Sequence, residues 1–298
     1  MTDHTGNPRT LKDFTMFQKA TKNQARLRLA LCGPSGSGKT YSALEIARHL
    51  GKTVALIDTE RGSASKYADR FDFDVCNLED FHPGKYMEAI KAAGQAAYEV
   101  IVIDSLSHAW FAELELAGKS FDGWKNVRPL ERALIDAMLA SPAHIIATMR
   151  TKTEWVLEEY VNKAGKTCVA PKKVGTSPIQ ASGIEYEFDL AGEIDLNHLL
   201  TISKSRCPQL SNTTHLNPGQ ELAVIMLDWL TDGAPAPETA LEKGQRIRAA
   251  REAVGMSAEE VRTLMDHEFD RTSPAQLSSE DCDRLIALIE AVGAAKPA

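Results

Sequence analysis

Several features that mark other protein classes are missing from this chain of 298 residues. No apolar run approaches the roughly 18 residues that a membrane-spanning helix needs, and the polar N-terminus lacks the apolar core of a secretory signal. The five cysteines are scattered and contain no C-x-x-C pair. We therefore expect a cytoplasmic protein that has neither a disulfide framework nor a zinc site and does not contact a membrane.

An excess of positive charge is also missing. The net charge is −7, because 34 lysines and arginines stand against 41 aspartates and glutamates. This balance argues against a broadly basic nucleic-acid binder, but a local basic groove stays open because binding follows the distribution of charge. Hydrophobic residues at 43% and charged residues at 25% are ordinary for a globular protein. The length suffices for one large domain and a small one.

The sequence does contain a complete phosphate-binding loop of the pattern G-x-x-x-x-G-K-[ST]. Its residues are Gly33, Pro34, Ser35, Gly36, Ser37, Gly38, Lys39 and Thr40. An apolar strand pattern precedes the loop and a helical pattern follows it, a context that separates a nucleotide site from a glycine-rich turn. Glycines let backbone N–H groups surround phosphate oxygens, and the helix N-terminus adds partial positive charge. We expect Lys39 to reach the β- and γ-phosphates and the Thr40 hydroxyl to ligate Mg²⁺.

The segment 25–232 alternates apolar strand patterns with helical patterns. Strands are predicted at 53–58, 75–78, 100–104 and 143–148, and helices at 83–98, 107–117 and 128–140. Such alternation predicts parallel β-α-β units with right-handed connections. Beyond Arg150 the patterns predict a hairpin of 155–161 and 166–170, strands at 185–190 and 199–203, and a helix at 220–230. We therefore expect an α/β core with a mostly parallel central sheet flanked by helices.

Composition changes on both sides of this core. Residues 1–24 are polar and predict a flexible or loosely docked arm, while 233–237 are rich in Gly, Pro and Ala and predict a linker. Residues 238–298 predict a small all-α module, in which Ser257 and Glu260 form a capping box at a helix start. The acidic excess of this module suits either a solvated helical hairpin or a unit that docks a protein.

Two carboxylates follow strand patterns and point to hydrolysis rather than to nucleotide binding alone. Asp104 ends an apolar strand whose carboxyl end should lie beside the phosphate-binding loop. There it can order the hydration shell of Mg²⁺ with Thr40, although a strand-end aspartate can also cap the next turn. Glu60 follows another strand and can polarise the attacking water, although it can also be a surface residue of a charged loop. Asp58 is expected to have a structural role.

Lys204 and Arg206 form a K-x-R pair directly after the strand pattern 199–203. On a strand, the spacing i, i+2 places both side chains on one face. Two cations on one face suit a triphosphate or its transition state, where arginine stabilises the developing charge. From spacing alone, a basic turn at a strand edge is the simpler interpretation.

Together these motifs resemble the RecA-like P-loop ATPases, which include RecA, RadA and the DnaB-type ring helicases. The segment 54–60 is similar to the strand whose glutamate activates water, and 102–106 is similar to the Walker B strand. The resemblance implies ATP and Mg²⁺ as ligands and a homo-oligomer, either a ring or a filament. It also implies that Lys204 and Arg206 reach the nucleotide of a neighbouring subunit. Thr148 stands where the family carries a phosphate-sensing glutamine.

The layout of residues 26–230 is also similar to phage-encoded RecA-like ATPases of the AAA type, some of which act in single-strand annealing recombination. This resemblance implies an ATPase that acts on single-stranded DNA in phage recombination or replication, in the host cytoplasm. One alternative is a nucleotide-gated scaffold or loader that binds a replication or recombination protein through 238–298. Another is a small-molecule phosphotransferase, although no arginine-rich lid is recognisable.

The segment after Arg150 is a candidate DNA contact, because RecA-like proteins carry a channel-facing loop there. It interleaves basic and aromatic residues: Lys152, Trp155, Tyr160, Lys163, Lys166, Lys172 and Lys173. Basic residues neutralise phosphates, and aromatic rings stack on bases. Three glutamates dilute this charge, so an exposed hairpin of mixed charge is an equal alternative.

Overall fold

A nine-stranded sheet forms the centre of the structure, a computed structural model that describes residues 20–119, 121–161, 166–234, 238 and 240–294. The strands are β1 (Arg28–Gly33), β2 (Val54–Asp58), β3 (Asp74–Asn77), β4 (Val100–Asp104), β5 (His144–Val161), β6 (Thr167–Pro178), β7 (Leu190–Ile194), β8 (Leu199–Ser205) and β9 (Thr214–Leu216). Their order across the sheet is β3-β2-β4-β5-β1-β7-β8-β9, and β6 pairs with β5 beyond this path.

The sheet is mostly parallel, as the alternation of strands and helices predicts. The first six strands in this order run parallel, and β8 and β9 complete the sheet as antiparallel strands. Strands β1, β2 and β4 are buried along their whole length, which explains why they read as continuous apolar runs. The predicted α/β fold is therefore confirmed.

Helices cover both faces of the sheet. These helices are α1 (Lys39–Leu50), α2 (Pro83–Gln95), α3 (Ser107–Ala117), α4 (Phe121–Leu139) and α5 (Gln220–Thr231). The helices α6 (Ala240–Ala253), α7 (Ala258–Phe269) and α8 (Ser279–Ala294) follow in the C-terminal part of the chain. Side chains of α1 and α5 pack with Val102 on one face, and those of α2, α3 and α4 pack with Ile101 and Ile103 on the other. Successive residues of β4 thus point to opposite layers, as the pleat of a strand requires.

Strand β5 continues beyond the sheet and forms a hairpin with β6. Thr151 pairs with Pro178 at its base, and the antiparallel ladder reaches Val161 and Thr167. We call residues 151–178 the β-arm. The predicted hairpin is confirmed, but its first strand begins earlier and its second strand ends later than predicted. Leu157 on the β-arm is 76% exposed, so this part of β5 leaves the core.

The predicted strand at 185–190 is wrong for most of its length. Ile184–Glu187 form a short 3-10 helix, and β7 begins at Leu190. Gly183, at φ +86°, starts this turn in a conformation that L side chains rarely adopt. The alternation of acidic and aromatic residues imitates a half-buried strand, yet Tyr186 is 70% exposed.

The C-terminal helices α6, α7 and α8 pack around an apolar cluster of their own, which includes Ile247, Met265 and Leu285. The predicted capping box is present, because the Ser257 hydroxyl accepts from the backbone N–H of Glu260 and the Glu260 carboxylate accepts from that of Ser257.

Both ends of the expected core lie near each other. Asn23 forms a β-bridge with Ala234, so the end of the expected N-terminal arm contacts the start of the expected linker. Residues 1–19 and 235–237 lie outside the described residues, and the domain boundaries stay a prediction. No helix among the described residues is long and apolar enough to cross a membrane.

Candidate functional site

The phosphate-binding loop connects β1 to α1, as the motif predicts. Strand β1 ends at Gly33 and α1 begins at Lys39. Gly36 and Gly38 have φ angles of +82° and +86°, a left-handed conformation that favours glycine. A Cβ atom at Gly33 would lie 2.5 Å from the carbonyl oxygen of Ile194, so this position has no room for a side chain. The structure therefore contains the tight loop that the sequence pattern predicts.

A cavity of about 830 Å³ opens above this loop. Its walls come from the loop, from the carboxyl ends of β2 and β4, from the point where β5 leaves the sheet, and from the turn between β7 and β8. The carboxyl ends of parallel strands meet at one edge of the sheet, which explains why residues far apart in sequence line one cavity. Its size is that of a small-molecule or cofactor site.

Asp104 lies at the end of β4 and is almost completely buried. Its Oδ2 accepts a hydrogen bond of 2.6 Å from the Thr40 hydroxyl, so the structure brings the two expected metal ligands together. Its Oδ1 accepts from the hydroxyl of Thr148. Burial raises the pKa of Asp104 above its usual value, and both hydroxyl donors oppose this shift. Thr148 is itself buried, and its hydroxyl is bonded to this carboxylate. It therefore does not line the cavity, where a phosphate-sensing side chain would have to lie.

The loop has polar groups that suit a phosphate ligand. The hydroxyl oxygen of Ser37 is buried and has no hydrogen-bond partner among the described residues. Lys39 donates to the carbonyl oxygen of Pro34 at 2.8 Å, and burial lowers the pKa of Lys39 while Asp104 and Glu60 raise it. Ser37 does not line the cavity, so the groups of the loop that suit a phosphate are Lys39 and the backbone N–H groups. A hydroxyl and one carboxylate beside phosphate oxygens also match the ligands that Mg²⁺ takes in nucleotide sites.

Glu60 lines the same cavity and forms an ion pair with Arg150. The Nη2 atom of Arg150 lies 2.7 Å from both carboxylate oxygens of Glu60, and its Nε lies 3.1 Å from Oε1. Asp58, by contrast, accepts hydrogen bonds from the backbone N–H groups of Glu60 and Ala64. Asp58 thus fixes the loop that carries Glu60, in agreement with its expected structural role.

Several residues that line the cavity are not identified by the sequence patterns. Arg150 ends the part of β5 that lies in the sheet, and His198, in the turn before β8, lies with Nδ1 2.9 Å from the Ser37 carbonyl oxygen. The rings of Tyr41 and Tyr67 pack edge to face, with centroids 5.8 Å apart. Only Tyr41 has a usable sequence signal, because it directly follows Thr40. The other three residues lie near the loop only because of the tertiary structure, which the spacing of residues in the sequence does not reveal.

Lys204 and Arg206 lie at the other end of the sheet from the loop of their own chain. Strand β8 is antiparallel to β7, and its last residues pair with the start of β7, which in turn pairs with the start of β1. Lys204 donates to the carbonyl oxygens of Tyr186 and Phe188, and Arg206 pairs with Asp189 at 2.9 Å. The two cations therefore do not join the cavity within this chain. Their expected contact with a neighbouring subunit stays a prediction.

The candidate DNA contacts on the β-arm are only partly described. Lys152 and Lys166 are exposed. Lys163 and the side chains of Trp155, Tyr160, Lys172 and Lys173 lie outside the described part of the chain. The apolar side chains of Leu157 and Val169 are also exposed. The β-arm thus presents a mixed polar and apolar surface to solvent.

A glycine loop between a buried parallel strand and a helix, with a hydroxyl–carboxylate pair at its edge, defines a P-loop nucleotide-binding protein. Comparison with protein families leads to the same class. Residues 25–216 match the model of an AAA domain, which covers most of the chain, and the chain therefore belongs to this family of P-loop ATPases. None of the curated proteins matches the sequence.

Proposed function

We propose that this protein is a Mg²⁺-dependent ATPase of the RecA-like type that acts on single-stranded DNA in phage recombination or replication. The observation that carries the proposal is the 2.6 Å hydrogen bond from Thr40 to Asp104, in the cavity that also contains Glu60. A hydroxyl and a carboxylate at this position suit a metal–triphosphate complex, and a second carboxylate nearby suits a water molecule. Membership of an AAA domain family supports ATP hydrolysis.

Each residue of the site has a separate task in this proposal. The N–H groups of the loop and Lys39 bind the phosphates, and Thr40 with Asp104 holds the cation. When bound, Mg²⁺ neutralises charge on the phosphate oxygens. Glu60 orients the attacking water and accepts its proton, for which one carboxylate oxygen must first leave Arg150. The rings of Tyr41 and Tyr67 offer apolar faces for a nucleobase, and the choice of adenine follows from the resemblance.

The β-arm is the proposed contact for single-stranded DNA. It begins at Thr151, a residue that lines the cavity, and extends away from the core. Lys152 and Lys166 can neutralise phosphates, and exposed apolar side chains such as Leu157 can pack against bases. Because the base of this hairpin lies at the nucleotide site, DNA bound to the hairpin can change the rate of ATP hydrolysis.

A DNA-stimulated ATPase assay tests this function. Phosphate release is measured without DNA, with single-stranded DNA and with duplex DNA. We expect single strands to raise the rate, and we expect Lys39→Ala to abolish nucleotide binding and hydrolysis. Lack of hydrolysis by the wild-type protein under all three conditions would refute the proposed activity.

A nucleotide-gated scaffold or loader is the second candidate. The separate apolar cluster of α6, α7 and α8 favours it, because a module with its own core can bind a replication or recombination protein without disturbing the ATPase site. In the same assay, a rate that rises only when a protein partner is added would favour the scaffold over the DNA-dependent enzyme. A homo-oligomer is proposed for either function.

A further inference from the structure

A small cavity opens on the surface of the C-terminal helices, between α6, α7 and the segment that connects α7 to α8. Its volume is about 250 Å³, which is below the roughly 300–1,000 Å³ of sites that bind small molecules and cofactors. Ile247, Val261 and Met265, which belong to the apolar cluster of these helices, also line the cavity. Its size and lining therefore suit one large apolar side chain rather than a nucleotide.

Gly244 lies inside α6 and lines this cavity. Glycine is unfavourable in the interior of a helix, because it loses more backbone freedom on folding than any other residue. Packing within the described part of the chain does not require a glycine here, since a Cβ atom at Gly244 would meet no heavy atom within 4 Å beyond its own helix. Gly244 therefore keeps open a space that the described residues do not fill.

Every charged residue that lines this cavity is an arginine: Arg248, Arg251 and Arg262. The charge at the cavity is thus opposite to the acidic excess of the C-terminal helices as a whole. Arg262 is exposed and has no hydrogen-bond or ion-pair partner among the described residues. Arg248 pairs with Glu252 through Nε at 2.8 Å, and its two Nη atoms have no hydrogen-bond partner in the described part of the chain. Guanidinium N–H groups are therefore free to bind carboxylates around an apolar opening, which we call the arginine-rimmed cavity.

We propose that the arginine-rimmed cavity binds an acidic segment of another protein, with one large apolar side chain in the cavity and flanking carboxylates on the arginines. An apolar anchor in a pocket usually dominates the energy of an interface, and arginine forms charge-assisted hydrogen bonds with carboxylates. A long polyanion such as DNA fits less well, because the acidic surface around the cavity would repel it. This inference goes beyond the proposed ATPase, since binding here requires neither a triphosphate nor turnover. It gives the scaffold candidate a defined docking surface.

Binding of a synthetic peptide to the full-length protein provides the first test. The probe is a fluorescently labelled peptide in which three aspartates flank one phenylalanine on each side, and its anisotropy is measured during titration with the protein. We expect saturable binding with a Kd well below about 1 mM. One matched peptide has alanine in place of the phenylalanine, and another has asparagines in place of the aspartates. Each should bind at least about tenfold more weakly, because each lacks one of the two contacts.

Two variants of the protein provide the second test. Gly244→Leu fills the opening, and Arg262→Glu reverses the charge of an exposed side chain, so each should weaken binding of the acidic peptide at least about tenfold. Either variant decides the matter alone if the other fails to fold. Arg284→Glu is the matched control, because it makes the same charge change on α8 outside the cavity, where the side chain is 66% exposed. It should bind the peptide as the wild type does, and all three variants should release phosphate from ATP at the wild-type rate.

Several results would overturn the inference. Absence of saturable peptide binding to the wild type would do so, as would wild-type affinity in Gly244→Leu and Arg262→Glu or an equal loss in Arg284→Glu. Sedimentation and titration of a labelled single-stranded oligonucleotide examine other occupants. A changed oligomeric state of Gly244→Leu would assign the cavity to a second copy of this chain, and loss of oligonucleotide binding alone would assign it to nucleic acid. Absence of ATP hydrolysis by the wild type would refute the proposed function and leave this inference standing.

Discussion

Asp104 is the residue on which the proposed chemistry depends most, because it is 2% exposed and accepts hydrogen bonds from two hydroxyl groups. Its partner Thr40 could be predicted, since both belong to short motifs with defined places at the edge of the sheet. The contact with Thr148 could not be predicted. It depends on β5 lying beside β4, and the order of strands in a sheet is not visible in a local pattern.

The charge of Asp104 should control the effect of Mg²⁺ on nucleotide binding. Asp104→Asn keeps the shape of the side chain but removes the negative charge that favours a cation. Titrations of an ATP analogue with and without Mg²⁺ should show that Mg²⁺ strengthens binding to the wild type much more than to this variant. Thr148→Val is the control, because it removes the other hydrogen bond and should keep the Mg²⁺ effect. Equal Mg²⁺ dependence of wild type and Asp104→Asn would contradict the metal role.

Glu113 in α3 is a buried carboxylate, and it should make stability depend on pH. Burial and the nearby charge of Glu131 raise its pKa to about 7, and its Oε2 has no hydrogen-bond partner among the described residues. The folded state therefore binds a proton between about pH 4.5 and 7 that the unfolded state has lost, so stability falls as pH rises through this window. Ionised Glu113 should cost up to about 3 kcal/mol at pH 8.

Thermal or urea unfolding of Glu113→Gln measures this effect. The variant should be more stable than the wild type at pH 8, and the gain should shrink as the pH falls to 5. A stability difference that does not change with pH would show that Glu113 titrates normally in the folded protein.

At the scale of elements, the helices and central strands follow from patterns of apolar residues, whereas the exceptions have local causes. The strand predicted at 185–190 is instead a 3-10 helix followed by β7, because Gly183 turns the chain and the alternation of polar and apolar residues is accidental. The β-arm is longer than its predicted strands. None of its described side chains is buried, so no periodic apolar signal marks the ends of its strands.

Removal of the β-arm should leave nucleotide binding intact. Thr151 and Pro178 are paired neighbours, so a short glycine linker can replace the residues between them without moving the sheet. The shortened protein should bind an ATP analogue as the wild type does, but single-stranded DNA should no longer raise its rate of hydrolysis. Nucleotide titration and phosphate release measure the two properties. Full DNA stimulation without the β-arm would locate the DNA contact elsewhere.

At the scale of the whole molecule, the fold class could be predicted from the sequence, but the contacts between subunits could not. Alternating strands and helices specify a parallel sheet, and the glycine loop marks the edge at which the ligand binds. Neither pattern specifies where another subunit docks. Lys204 and Arg206 illustrate this limit. Both side chains reach the carbonyl oxygen of Tyr186, although Arg206 lies beyond the end of β8, and any action on a nucleotide requires a neighbouring chain.

Arg206 should therefore matter only in the assembled protein. The side chain of Arg206 is 55% exposed in its ion pair with Asp189, so Arg206→Ala should leave the fold and the nucleotide affinity of the dilute protein nearly unchanged. In the oligomer, loss of an arginine that stabilises the transition state should lower turnover about a thousandfold. Turnover per subunit is measured over a range of protein concentrations, with sedimentation to follow assembly. The same rate as the wild type in the assembled state would exclude the role in a neighbour's site.

The central claim is that Glu60 activates water for attack on a triphosphate held by the loop and by the Thr40–Asp104 pair. Phosphate release by wild type and Glu60→Gln at saturating ATP and Mg²⁺ tests it most directly, with analogue binding measured in parallel. The variant should bind the analogue at least as well as the wild type and hydrolyse ATP about a hundredfold more slowly or worse. Hydrolysis by Glu60→Gln at the wild-type rate would contradict the claim.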